Sequence, residues 1–219
     1  MNKILIQTPY RQKLHQRILK EAMREFYSRG IKAVKMDDIA QNLAISKRTL
    51  YEIYRNKEEL LLEGIKNAED EFDLNMAEFI KTYGNNVMDI MIEFYHMQLK
   101  FMSEVSPLFF EELNKYDQVL YYLETKHRER DAKAAEFFKR GIQEGFFRAD
   151  ANYEIVTEIG RVAIEHSFKS QMYKKYSLQT ITQNIVLLII RGICTQQGLD
   201  MIDRTIFIKP SDRKDFEEI

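Results

Sequence analysis

The sequence predicts an all-α protein, with a three-helix N-terminal unit followed by a larger helical bundle. Three observations predict it. Proline occurs only at positions 9, 107 and 210, so nearly the whole chain is free to be helical. Long segments rich in Leu, Glu, Lys and Met place apolar residues at helical spacing. There are no β-hairpin signals and no 20–50-residue repeat. With 219 residues, 45% of them hydrophobic, a sizeable core is available.

The elements follow in order. Leu14, Ile18, Ala22 and Phe26 recur every four residues, which predicts a helix over about 10–29 stopped by Gly30. Residues 36–43 form a second, short helix with Asp37 and Asp38 in its first turn, where the helix dipole favours anions. A turn at 44–46 follows, and Ser46 is the expected N-cap of a third helix at about 47–54. Asn56 with Glu59 three residues on resembles a capping box opening a fourth helix, which runs toward Tyr83. Further helices are expected at about 85–105, 107–115, 118–144, 152–174 and 178–197. The rest reads as a charged tail.

Helices as short as the second and third are marginal alone in water. Joined by a tight turn, they form the helix-turn-helix pattern, with Ile39, Leu43, Ile45, Leu50 and Ile53 as its small core and Ala40 at the close approach. The start of the second helix of such a pair enters the DNA major groove, and Lys47 and Arg48 lie there. Either offers donors to guanine O6 and N7. Thr49 suits a base or a thymine methyl, Tyr51 and Tyr54 suit phosphate oxygens, and Lys57 suits a phosphate at the start of the fourth helix. Charge agrees. Residues 1–66 hold 14 Lys/Arg against 8 Asp/Glu, a balance of +6, whereas the whole chain is −1.

The stretch GIKAVKMDDIAQNLAISKRTLYEIYRNKEELL resembles the DNA-binding segment of the TetR family of bacterial transcriptional regulators. The resemblance spans about residues 10–66. Its marks are Gly30, Asp38-Ile39-Ala40, Ser46, Thr49-Leu50-Tyr51 and Lys57-Glu58-Glu59-Leu60. It implies a DNA-binding head at 1–56 and a regulatory and dimerisation body at 57–198, with the fourth helix linking the two and a tail at 199–219. Three positions depart from the family pattern. Ala44 stands where Gly is common in the turn, which implies a strained φ. Ile53-Tyr54 replaces an aromatic pair. Lys35 replaces a capping Thr, leaving Lys35 to meet a phosphate as a point charge.

The implied function is a repressor released from a palindromic operator by a small apolar ligand. The alternative is a ligand-independent regulator or a protein-binding adaptor. Candidate ligand residues are Met91, Phe94, Tyr95, Phe101, Met102, Phe109, Tyr122 and Phe138, although the same helical spacing also describes ordinary core. Candidate dimer residues are Ile155, Ile159, Val162 and His166 on one helix, with Ile181, Ile185, Leu188, Ile189 and Gly192 on the next. Residues 185–190, IVLLII, are apolar all round the helix, so this segment must face both its own bundle and a second copy.

Other classes are disfavoured. There is no HExxH, GxSxG, phosphate-cradling Gly-rich loop or Cys/His cluster, so no enzyme activity, metal or cofactor is expected. The lone Cys194 excludes an intrachain disulfide framework and fits a reducing cytoplasm. The apolar run at the N-terminus is too short for a signal peptide and the longest run too short for a membrane span, so no membrane partner is expected.

Overall fold

The computed structural model describes residues 9–207. Among them are ten α-helices and no strands: α1 (Pro9–Arg29), α2 (Met36–Asn42), α3 (Lys47–Ile53), α4 (Lys57–Tyr83), α5 (Val87–Glu104), α6 (Pro107–Leu113), α7 (Asp117–Gln143), α8 (Tyr153–Lys169), α9 (Leu178–Ile193) and α10 (Gln196–Ile202). The chain forms two compact units. One contains the chain through Phe72 together with Glu104–Thr125. The other contains Asp73–Ser103 and the chain from Lys126.

In the first unit, the apolar stripe of α1 (Leu14, Ile18, Ala22 and Phe26) is buried, as are Ile39, Ala40 and Leu50 of the helix pair. Leu43, Ile45 and Ile53 are half-buried and close its edges. Gly30 ends α1 at φ +81, with its N–H on the Phe26 carbonyl at 3.0 Å. A Cβ at Gly30 would lie 3.1 Å from Leu108 Cβ, so glycine also lets α6 approach. The backbone N–H of Ser106 donates to the Tyr27 carbonyl at 2.7 Å, and Phe109 packs edge-on against the Tyr27 ring.

The α2–α3 turn carries the strain expected at Ala44, whose φ is +52. A left-handed conformation crowds a Cβ against the following carbonyl. Ala44→Gly, at an exposed position, is therefore expected to stabilise the protein by up to about 1 kcal/mol, net of glycine's greater unfolded-state entropy. Urea unfolding checks this. A loss of stability would mean that the methyl group makes a contact outweighing the strain.

In the second unit the α7–α8 connection is stapled to the end of α9. Gly145 (φ +81) turns the chain, Arg148 N–H donates to the Ile193 carbonyl at 2.9 Å, and Thr195 N–H donates to the Phe146 carbonyl at 2.9 Å. Phe147 is buried among Val87, Met88, Met91, Ile190, Ile193 and Ile202. Burial of Cys194 beside it pushes the thiol pKa up to about 11. The segment read from residue 199 as a tail instead begins inside α10 and continues as a π-helical turn at Asp203–Phe207. Ile202 there is fully buried, which supplies the apolar anchor that composition alone did not reveal. Residues 208–219 of the expected tail lie outside the described residues. Among the described residues no helix is long and apolar enough to cross a membrane.

Candidate nucleic-acid interface

The helix pair presents two exposed cations, Lys47 and Arg48, at the start of its second helix. Ser46 caps α3 as expected: its Oγ accepts from Thr49 N–H at 3.0 Å and lies 2.8 Å from Thr49 Oγ1. Ser46 and Thr49 therefore spend part of their hydrogen-bonding capacity on the helix start. Lys47, Arg48, Tyr51 and Glu52 are exposed on α3. The two cations are already paired with carboxylates. Lys47 Nζ donates to Asp37 of α2 at 2.5 Å, and this hydrogen bond raises the Lys47 pKa. Arg48 Nε donates to Glu52 at 2.9 Å. The i,i+4 spacing is the one sign of the second pair in the sequence. Nothing in the sequence marks the first, which depends on how α2 and α3 cross.

Lys35 is exposed and offers α2 no side-chain cap, because an ammonium cannot accept a hydrogen bond. Asp38 reaches back instead and accepts from Lys35 N–H at 3.2 Å. At α4 the expected box forms in altered register. Asn56 Oδ1 accepts from Glu59 N–H at 2.8 Å, and the Glu59 carboxylate accepts from Arg55 N–H at 2.7 Å.

Two expected phosphate contacts are corrected. Tyr54 is fully buried. Helix α3 ends at Ile53, and Tyr54 takes an extended backbone (φ −123) that turns its ring into the core. Its hydroxyl lies 2.9 Å from His15 Nε2, which is also 3.0 Å from Glu63. Burial, with the Glu63 charge nearby, pushes the phenol pKa well up. Lys57 is the second correction. Its ammonium donates to the carbonyls of Ile31 at 2.8 Å and Val34 at 3.0 Å. Burial lowers its pKa. Lys57 thus braces the α1–α2 connection, whose other side is held by Glu112 of α6 accepting from Lys32 N–H at 2.6 Å. Those carbonyls lie 23 and 26 residues upstream, a pairing no local pattern encodes.

The candidate ligand residues do not share one environment. Phe109 and Tyr122 belong to the first unit, where Phe109 is buried. The other six belong to the second. There Met91 and Tyr95 are packed core, Phe94 is 40% exposed, and Phe101, Met102 and Phe138 are half-buried. Phe138 stacks on Tyr153 at 4.3 Å.

The candidate dimer residues divide sharply. Ile155, Ile159 and Val162 on α8 and Leu188 on α9 are exposed, the last at 74%. His166 and Gly192 are exposed with them, and a Cβ at Gly192 would meet nothing. Ile181 is buried, and Ile185 and Ile189 are half-buried. The Cδ1 of Ile189 would lie 3.1 Å from a Cβ on Gly160, so α8 and α9 pack closely beneath this face.

The comparisons with known proteins agree with this geometry. Residues 18–63 match the family described as bacterial regulatory proteins, tetR family. The chain is similar to the HTH-type transcriptional repressor KstR2 of Mycolicibacterium smegmatis, with 23% identity over 194 residues covering 83% of this chain and 91% of that protein. Among solved structures, it is similar to a transcriptional regulator of Saccharomonospora viridis in complex with choline. The TM-score is 0.67 at 21% identity, covering 84% of this chain and all of that one. The ketosteroid transcriptional regulator KstR2 of Mycobacterium tuberculosis aligns with a TM-score of 0.57 at 18% identity, over 84% of this chain and 96% of that one. With its helix-turn-helix built at residues 36–53 and its family match at 18–63, the N-terminal part of the chain is similar to the TetR family of bacterial regulatory proteins.

Proposed function

We propose that the protein is a repressor that binds a palindromic operator as a symmetric dimer and is released by a small, largely apolar ligand. The observation carrying this reading is the basic opening of α3. Arg48 is exposed at the first turn of a capped helix that is held by the strained turn at Ala44 and by the buried Leu50. That is where a helix-turn-helix protein meets base edges. In this reading Arg48 and Lys47 leave their carboxylate partners for guanine edges or phosphates. Thr49 and Tyr51 add a base or methyl contact and a phosphate contact, and Lys35 adds a point charge. Domain roles follow as expected from the sequence, with the reading surface within 1–56 and the regulatory and dimerisation part within 57–198.

The dimer half of the reading is supported by the apolar stripe of Ile155, Ile159, Val162 and Leu188, an unusual surface for a monomer to leave to water. A two-fold axis through such a face pairs two heads, and paired heads read a palindrome. The ligand half is supported by the half-buried Phe101, Met102 and Phe138, and by relatives described as a ketosteroid regulator and as a choline complex.

The test is selection of bound duplexes from a random pool, followed by titration of hydrophobic compounds against the selected complex. Arg48→Ala is expected to cost about 1–3 kcal/mol at the selected site and to relax preference at one base position. Binding of the selected site by Arg48→Ala with wild-type affinity and profile would refute this docking.

A further inference from the structure

Glu52 is the one carboxylate on α3, whose sequence is KRTLYEI. It sits in the middle of the exposed face, one turn after Arg48, beside Tyr51 and before Arg55. On a surface that approaches phosphates, a negative charge weakens binding to every duplex alike. Its position therefore opposes general affinity and calls for a role of another kind. Its hydrogen bonding supplies one. Glu52 Oε1 accepts from Arg48 Nε at 2.9 Å, whereas the Arg48 side chain is otherwise 88% exposed to solvent. With Nε occupied, the two terminal Nη groups remain, and they form the fork that matches guanine O6 and N7. A carboxylate also accepts from the N4 amino group of cytosine, the only exocyclic donor that a G·C pair shows in the major groove.

We propose that Glu52 is a specificity-determining residue. It holds the Arg48 guanidinium by Nε for end-on reading of a guanine, and its second oxygen accepts from the N4 amino group of a neighbouring cytosine. The pairing converts a flexible cation, able to seek any phosphate, into an oriented reader, because a guanidinium held at one nitrogen keeps few of its rotamers. It also penalises sites that place a thymine or guanine edge against the carboxylate, since neither offers a donor to the desolvated anion. The inference rests on α3 being the DNA-reading helix.

The experiment compares the wild type with Glu52→Ala, Glu52→Gln and Arg48→Ala, each first checked for native helicity. Each is then titrated against the wild-type-selected duplex, every single-base variant of it, and an unrelated duplex. Glu52→Ala is expected to flatten discrimination roughly tenfold or more at the position that Arg48→Ala also flattens, and at an adjacent G·C pair. It is also expected to bind the unrelated duplex several-fold more tightly. Glu52→Gln retains an acceptor without the charge. It should gain the same non-specific affinity and retain part of the preference. An unchanged base profile in Glu52→Ala overturns the proposal, as does an equal loss on all duplexes, which would mark a purely structural role. An unchanged profile in Arg48→Ala would sink the DNA-reading assignment of α3 itself, and this inference with it. That outcome is distinct from one in which only the Glu52 variants behave like the wild type.

Discussion

Leu188→Asp is expected to convert the proposed dimer to monomer without unfolding the subunit. Leu188 is 74% exposed in the single chain, so aspartate there costs the isolated subunit little. Exposed Ile155, Ile159 and Val162 accompany it on the neighbouring helix. When two copies close over this face, each new carboxylate is stripped of water among apolar side chains such as Ile155, Ile159 and Val162. A buried, unpaired charge costs on the order of 3–5 kcal/mol, and two-fold symmetry introduces the charge from both subunits. A penalty of ~4 kcal/mol weakens dimerisation about a thousandfold, and operator affinity falls with it because the heads are no longer linked. Sedimentation at micromolar concentration reads the first effect and circular dichroism verifies the fold. A variant that sediments as the wild type does would place the dimer face elsewhere, and a wild-type monomer would remove the dimer altogether.

The second large effect concerns Phe147 and Gly141 in the core of the second unit. Phe147 is 2% exposed and packs with Met88, Met91 and Ile193. Truncation to alanine is expected to cost ~3–5 kcal/mol through lost burial and the cavity left behind. Gly141 lies within α7, where alanine would ordinarily gain up to about 1 kcal/mol of helix stability. Here a Cβ would fall 1.9 Å from Phe147 Cδ2, so the buried ring must move. Gly141→Ala is therefore expected to destabilise by about 1–3 kcal/mol, reversing the usual sign. The two changes should couple. With the ring gone, the new methyl group occupies part of the cavity, and the double variant loses less than the sum of the singles. Thermal or urea unfolding of all four proteins measures this cycle. Simple additivity would show that Phe147 vacates the space in front of Gly141 at no cost.

Much of this protein is determined by local sequence. The helix positions follow from apolar residues at 3–4-residue spacing and from side chains that cap their own neighbours. Ser46 on Thr49, Asn56 on Glu59 and Gly30 at positive φ are all contacts within a few residues. The strain at Ala44 belongs to the same class, because a tight turn between two helices demands a left-handed residue whatever occupies it. The exposed cations at the start of α3 were legible for the same reason: helical phase places Arg48 opposite the buried Leu50, and Lys47 opens the first turn.

Tertiary structure decided where long side chains end up. Tyr54 lies one residue beyond α3, and the switch from helical to extended backbone sends its ring to His15, 39 residues away, rather than toward solvent. Lys57 spends its charge on two loop carbonyls. Met91 and Phe94 are three residues apart in one amphipathic helix, yet the first is core and the second is exposed. The all-round apolarity of 185–190 announced that something must cover α9, but only the packing of α8 against it left Leu188 uncovered and Ile190 enclosed. Periodicity states which residues share a face. The partner that covers the face is set by residues far away in sequence, whose burial energies are comparable for every apolar side chain and so leave no mark in composition or spacing.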